Sequence, residues 1–289
     1  MTAPERTGEN ATGVTNAMTV DVEDYFQVSA FAGRISRDDW ATLPCRVERN
    51  TARVLDIFAE RGVKATFFTL GWVAQRYPAL IRRIADEGHE VASHGMAHFR
   101  VGDQTPEQFR DDIVQTRTIL QDISGQPVIG YRAASFSIDR STLWAHEVLG
   151  EAGYRYSSSI YPVRHDHYGI PDAPRFGYLP EAAGGLTELP LTTVRLRGRN
   201  LPCAGGGYFR LLPYRYFRWA IGRVNREEGQ STIFYFHPWE VDPDQPRQAG
   251  LSAKTRFRHY VNLDRMAPRL RTMLRDFAWD RMDRVFDVA

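Results

Sequence analysis

Cysteine is nearly absent: Cys45 and Cys203 are the only two in 289 residues. They lie far apart without metal-like spacing, and could pair only if the fold brought them together, so they read as free thiols of a reducing compartment. Long apolar runs are missing too, with no stretch of about eighteen apolar residues to span a bilayer. No charge of one sign dominates; 37 basic against 35 acidic side chains leave a formal net charge of +2, and nothing points to nucleic acid. The opening MTAPERTGENATGVTNA (1–17) lacks the apolar core of a conventional secretory signal. It is polar and rich in small residues, is expected to be a disordered tail, and with the other absences implies a cytoplasmic protein.

What is present is a concentration of carboxylates. TVDVEDYF (19–26) ends a short apolar run with Asp21, Glu23 and Asp24. Three carboxylates where a buried strand finishes repel one another and resist desolvation, which calls for a cation. VASHGMAH (91–98) supplies His94 and His98, four apart, behind another short apolar run. One carboxylate with H-x3-H makes a three-ligand set that leaves room for water and substrate, the pattern of catalytic rather than structural zinc. Alone, an acidic triplet is more often a cap or turn. Its pairing with two histidines at a second strand end favours a site, because ligands of α/β folds gather at strand carboxyl ends.

Periodicity predicts a helix over about 46–61, a strand over 63–70, a helix around Leu80, Ile81 and Ile84, and a strand that delivers His94. The clearest helix starts at Thr105, with Pro106 in its first turn and Gln108 completing a capping box, and ends at Gly125. Strand-like segments recur at 127–138, 154–162, 188–196 and 231–243, the last carrying His237. Residues 163–186 read as a long loop, GGGYFRLLPY (205–214) as a glycine-rich turn into a helix, and 262–277 as an amphipathic helix. Strand alternating with helix argues for a parallel sheet, open or closed into a barrel.

These landmarks, in this order, resemble the NodB-type polysaccharide deacetylases, carbohydrate esterase family 4. TVDVEDYF, GGGYFRLLPY and FRHYVNL (257–263) are similar to the deacetylases that accompany exosortase and exopolysaccharide gene clusters. The resemblance implies a distorted (β/α) barrel of about seven parallel strands, with residues 18–243 as the deacetylase domain and 244–289 as a C-terminal helical extension packed on the barrel. It implies a divalent metal, foremost zinc, held by His94, His98 and either Glu23 or Asp24. Asp21 matches the base, Arg132 the arginine that holds it, and His237 the acid that protonates the leaving amine. A backbone N–H just after the first carboxylate cluster is expected to face the oxyanion. Ala134 stands where many members have proline, and Ser157 where many have aspartate.

Candidate substrate contacts are Tyr25, Ser135, Phe136, Ser157, Tyr208 and Trp239, whose aromatic rings could stack on sugars or belong to the core. The implied partner is an N-acetylated amino-sugar polysaccharide or its lipid-linked precursor, with association to a membrane synthesis complex left open. Two alternatives stand beside this one: hydrolysis of a small linear or cyclic amide on the same fold, and a non-catalytic glycan-binding scaffold.

Overall fold

The computed structural model describes residues 13–166, 168–181 and 183–288. Its strands are β1 (Thr15–Val22), β2 (Thr66–Thr69), β3 (Glu90–Ser93), β4 (Gly130–Tyr131), β5 (Tyr156–Ser157), β6 (Thr187–Glu188), β7 (Thr193–Leu196), β8 (Arg199–Pro202), β9 (Ile233–Phe236) and β10 (Ala278–Asp280). Every residue of β1 after the first is buried, as befits a strand covered on both faces in the middle of a parallel sheet. It has three parallel partners. Val20 faces both Phe67 of β2 and Phe236 of β9, so those strands flank it on opposite edges. Ala17 faces Asp280 and Ile233, which puts β10 on the β2 edge, one level below.

From β2 the sheet continues in parallel through β3, β4, β5 and β6. Seven strands, β9-β1-β2-β3-β4-β5-β6, thus curl into an open half-barrel, with β10 as an eighth strand beside the start of β1. Residues 189–192 bridge the gap between β6 and β9, where the Leu191 N–H donates to the Ile160 carbonyl at 2.9 Å and the Ile233 N–H to Thr192 Oγ1 at 2.6 Å. Helices pack outside. Val47–Ala59 buries Val47, Val54, Leu55, Ile57 and Phe58, and Pro106–Ser124 has the expected capping box at Thr105 and a left-handed Gly125 at its end.

Several expectations are corrected. Thr15–Ala17 belong to β1, so the chain is structured before residue 18; residues 1–12 of the expected tail lie outside the described ones. The strand expected at 188–196 divides into β6 and β7, because β7 turns away to form an antiparallel hairpin with β8 across left-handed Arg197 and Gly198. The strand expected at 231–243 stops at Phe236, and Pro238 opens a 3-10 turn. The C-terminal extension also does more than cover the barrel: it contributes β10 to the sheet. Cys45 and Cys203 are unpaired. No helix among the described residues is long and apolar enough to cross a membrane.

Asp24 has a structural task rather than the ligand role left open for it. Its Oδ2 accepts the N–H groups of Arg46 and Val47, at 2.5 and 2.8 Å, and its Oδ1 accepts the Tyr25 N–H at 2.8 Å. The carboxylate therefore caps the helix Val47–Ala59 from a distant loop, satisfying N–H groups that helices leave orphaned. The Tyr25 N–H, committed to that cap, does not face an oxyanion. Asp24→Ala should cost about 2 kcal/mol of stability in urea unfolding, near the upper end for a lost cap, while the protein keeps its metal content.

Candidate metal and catalytic centre

The carboxyl ends of β1, β3 and β9 deliver the site. Glu23 follows β1, His94 follows β3, and His98 closes the turn after it; their ligand atoms lie within 4.8 Å of one another, and all three residues are buried. His94 Nδ1 lies 2.8 Å from the Arg132 carbonyl. A carbonyl can only accept, so Nδ1 carries the proton and Nε2 is left with its lone pair. Burial, with His94 and His237 as neighbours, holds the His98 pKa well below the ordinary histidine value, so this ring is neutral as well.

His98 Nε2 stands 3.0 Å from Glu23 Oε2, yet that oxygen has no hydrogen-bond partner. The contact is close without the alignment of a hydrogen bond. Burial lifts the Glu23 pKa to about 7, against the pull of His237. An orphaned carboxylate oxygen beside two imidazoles fits a cation site, since ligands about 2 Å from a zinc ion stand roughly 3.3 Å apart. The residues fit a divalent metal, and two imidazoles with one carboxylate are a donor set zinc accepts.

Asp21 lies on the same rim. Its Oδ1 accepts from Arg132 Nη1 at 2.7 Å, and its other oxygen has no hydrogen bond among the described residues. Arg132 is fully buried and fixed on every side: Nη1 also donates to Thr19 Oγ1, Nε to the Ser158 carbonyl and Nη2 to Ser158 Oγ, while the guanidinium stacks 4.0 Å over Phe68. His237 closes the other side, its Nε2 3.4 Å from Glu23 Oε1 and its Nδ1 2.8 Å from Glu240 Oε1. Burial alone would lower the His237 pKa, but Glu23 and Glu240 raise it to about 9.

The expected substrate contacts divide by burial. Tyr25 is fully enclosed in an aromatic cluster with Phe26 and Trp40, and Ser157 is buried with its hydroxyl donated to Ser159 Oγ at 2.8 Å. Neither can touch substrate, which corrects both assignments. Trp239 lies parallel to His237 and His259 at centroid distances of 5.1 and 4.3 Å, and its Nε1 points at Glu23 Oε1 at 3.4 Å; it braces the site instead of stacking on a sugar. Phe136, nearly buried, meets Tyr235 edge-on at 4.7 Å beside Arg132 and forms a wall. Ser135 and Tyr208 remain half-buried. A cavity of about 580 Å³ opens next to His98, lined by Phe26, Ser29, Arg34, Arg37, Trp40 and Phe99 among others.

Sequence reasoning missed the side chains that hold the histidine turn. Asp112 accepts the Met96 N–H at 3.0 Å and would meet any Cβ at Gly95 at 2.9 Å, while Arg37 donates to the carbonyls of Ala97 and His98 at 2.6 and 2.9 Å. Neither has a local pattern that could have announced it. Glu240 was also missed, although H-P-W-E has the spacing of a capping box.

Residues 37–157 match the family model described as polysaccharide deacetylase, and residues 158–287 match a domain of unknown function, DUF3473. A peptidoglycan-N-acetylglucosamine deacetylase of Bacillus cereus is 36% identical over 75 residues, 26% of this chain and 27% of that protein. A chitooligosaccharide deacetylase of Bradyrhizobium is 32% identical over 99 residues, 34% and 43% of the two. The chain thus spans less than half the length of these curated relatives. Among solved structures, a Mycobacterium smegmatis protein assigned as a polysaccharide deacetylase aligns over 100% of this chain and 94% of its own, with a TM-score of 0.61 at 21% identity. The allantoinase Puue aligns over 98% and 92%, with the same TM-score at 15% identity; both show the fold alone. The fold is an α/β half-barrel, and residues 37–157 match the polysaccharide deacetylase family. Over that part the chain is similar to the NodB-type deacetylases.

Two outcomes test the metal centre. Glu23→Gln and His98→Ala should each purify without the equivalent of divalent metal expected in the parent chain, measured by elemental analysis. Because Glu23 is lifted to about 7 and must ionise to bind, metal affinity should fall as pH is lowered from about 8 to about 6, with protons released on binding in calorimetry.

Proposed function

We propose that this chain is a zinc-dependent deacetylase that hydrolyses N-acetyl groups on an amino-sugar polysaccharide, or its lipid-linked precursor, in bacterial exopolysaccharide synthesis in the cytoplasm. One observation carries the reading: Glu23, His94 and His98 converge beside both a fixed carboxylate and a proton-bearing imidazole. The relatives named as deacetylases of peptidoglycan and chitooligosaccharides support the substrate class.

A divalent cation at this site supplies Lewis acidity, which polarises an acyl carbonyl and makes water nucleophilic near neutral pH. The chain's own residues do the remaining work. Asp21, with Oδ1 held by Arg132, presents its other oxygen to take a proton from the attacking water. Buried Arg132 keeps that carboxylate from rotating. His237, with a pKa near 9, enters neutral solution protonated and gives its proton to the departing amine. An amine leaves as the free base only with that proton, so amide cleavage needs both groups. The 580 Å³ cavity beside His98 is within the range of about 300–1,000 Å³ typical of small-ligand sites and would take a sugar unit next to the reacting one.

Acetate release from N-acetylated amino-sugar oligomers should vanish with a chelator and return with zinc. Release unaffected by chelation, or confined to small amides, would contradict the reading. Asp21→Asn should keep its metal and lose about 10²- to 10⁴-fold in kcat, the range for general base catalysis. His98→Ala should lose metal and turnover together.

A further inference from the structure

Glu240 has no part in the chemistry so far, yet its surroundings are built around it. His237 ends β9, Pro238 opens the 3-10 turn, and the chain folds back so that Glu240 Oε1 accepts the His237 N–H at 3.1 Å and meets Nδ1 at 2.8 Å. Its Oε2 accepts from Arg210 Nε at 2.7 Å, and both side chains are no more than 1% exposed. Burial opposes the charged form, but Arg210 and His237 hold the Glu240 pKa at about 2, so the carboxylate only accepts. Nδ1 of His237 must therefore carry a hydrogen, and Nε2 is aimed at Glu23.

Two glycines make this approach feasible. A Cβ on Gly206 would lie 2.2–2.4 Å from the Glu240 carboxyl group, and one on Gly205, at φ +96°, would lie 2.7 Å from the Tyr235 ring. The glycine run in GGGYFRLLPY thus lets the helix Gly206–Leu211 carry Arg210 to the carboxylate. Arg210 also donates Nη1 to the carbonyls of His259 and Val261, at 3.0 and 2.5 Å, and Nη2 to that of Arg258 at 3.3 Å. Each of these contacts joins the C-terminal segment to the site.

We propose that Glu240 is the positioning residue of His237, fixing the imidazole with Nδ1–H bound and Nε2 facing the reacting group, and that Arg210 couples this hold to residues 258–261. The catalytic half of this inference rests on His237 serving as the acid in the proposed deacetylation. A buried ion pair by itself is poor evidence of anything but local structure, because desolvation offsets much of its attraction. What separates positioning from packing is selectivity for one step. Protonation matters for an amine leaving group and not for a nitrophenolate, which departs unaided.

The test compares the zinc-loaded full chain with Glu240→Gln on two substrates, an N-acetylated chito-oligosaccharide and nitrophenyl acetate. The amide kcat should fall about 10- to 100-fold with little change in KM, while ester turnover falls at most about twofold. Because Glu240→Gln leaves Arg210 buried without its counter-charge, the double variant with Arg210→Met is the second sample, and the same selective loss is expected. Equal losses on both substrates, or an unchanged amide kcat, would overturn the proposal. Heteronuclear NMR of the His237 ring supplies a readout free of turnover: Nδ1 should be protonated in the parent chain, with the tautomers mixed in Glu240→Gln. A parent chain inactive on amides but with Nδ1 protonated would refute the deacetylase reading and support Glu240's hold on the ring. A ring protonated only at Nε2 would refute the proposal itself.

Discussion

A buried carboxylate with too few partners governs this structure. Glu23 sits just past the end of the central strand β1, within reach of His94 and of the neutral imidazole of His98, and its Oε2 has no hydrogen-bond partner. Such a group is unfavourable in a protein interior unless it is protonated or faces a cation. Without a cation it keeps its proton to about pH 7. With one, the same three atoms become a coherent ligand set. The fold sustains the arrangement because β1 is clamped by β2 and β10 on one edge and β9 on the other, so the end of β1 has little freedom to relax the crowding.

Around that centre the chain spends its buried polar side chains on orientation. Arg132 fixes Asp21 and, through its carbonyl, the tautomer of His94. Arg37 and Asp112 hold the histidine turn from two sides. Glu240 and Arg210 secure His237 and tie it to the C-terminal segment, which in turn supplies β10 to the floor of the sheet. Residues matched to two separate family models thus complete a single site: Glu23 precedes both, His94, His98 and Arg132 lie in the first, and His237 and Glu240 lie in the second. The extension is therefore integral to the site, since the carbonyls that receive Arg210 belong to it.

Much of this was legible because the relevant signals are local. The acidic triplet, H-x3-H and the capped helix from Thr105 each declare themselves within a few residues, and the alternation of strand and helix gives the parallel sheet. Choosing between Glu23 and Asp24 was beyond local pattern, because what decides it is a helix N-terminus more than twenty residues away that claims Asp24. Tyr25 and Ser157 failed as substrate contacts for a related reason: an aromatic or a serine near a site has the same composition whether it faces the groove or the core. Arg37, Asp112 and Arg210 act through backbone carbonyls and N–H groups of remote turns, which carry no side-chain signature. Glu240 alone had a readable spacing, and the family resemblance drew attention to His237 instead.

The most direct measurement is anomalous diffraction at the zinc edge from crystals of the full chain. One strong peak is expected, bonded to Glu23, His94 and His98, with Asp24 still capping its helix and Asp21 outside bonding distance. A peak bonded to Asp24, or no zinc at these three residues under saturating metal, would contradict this ligand assignment.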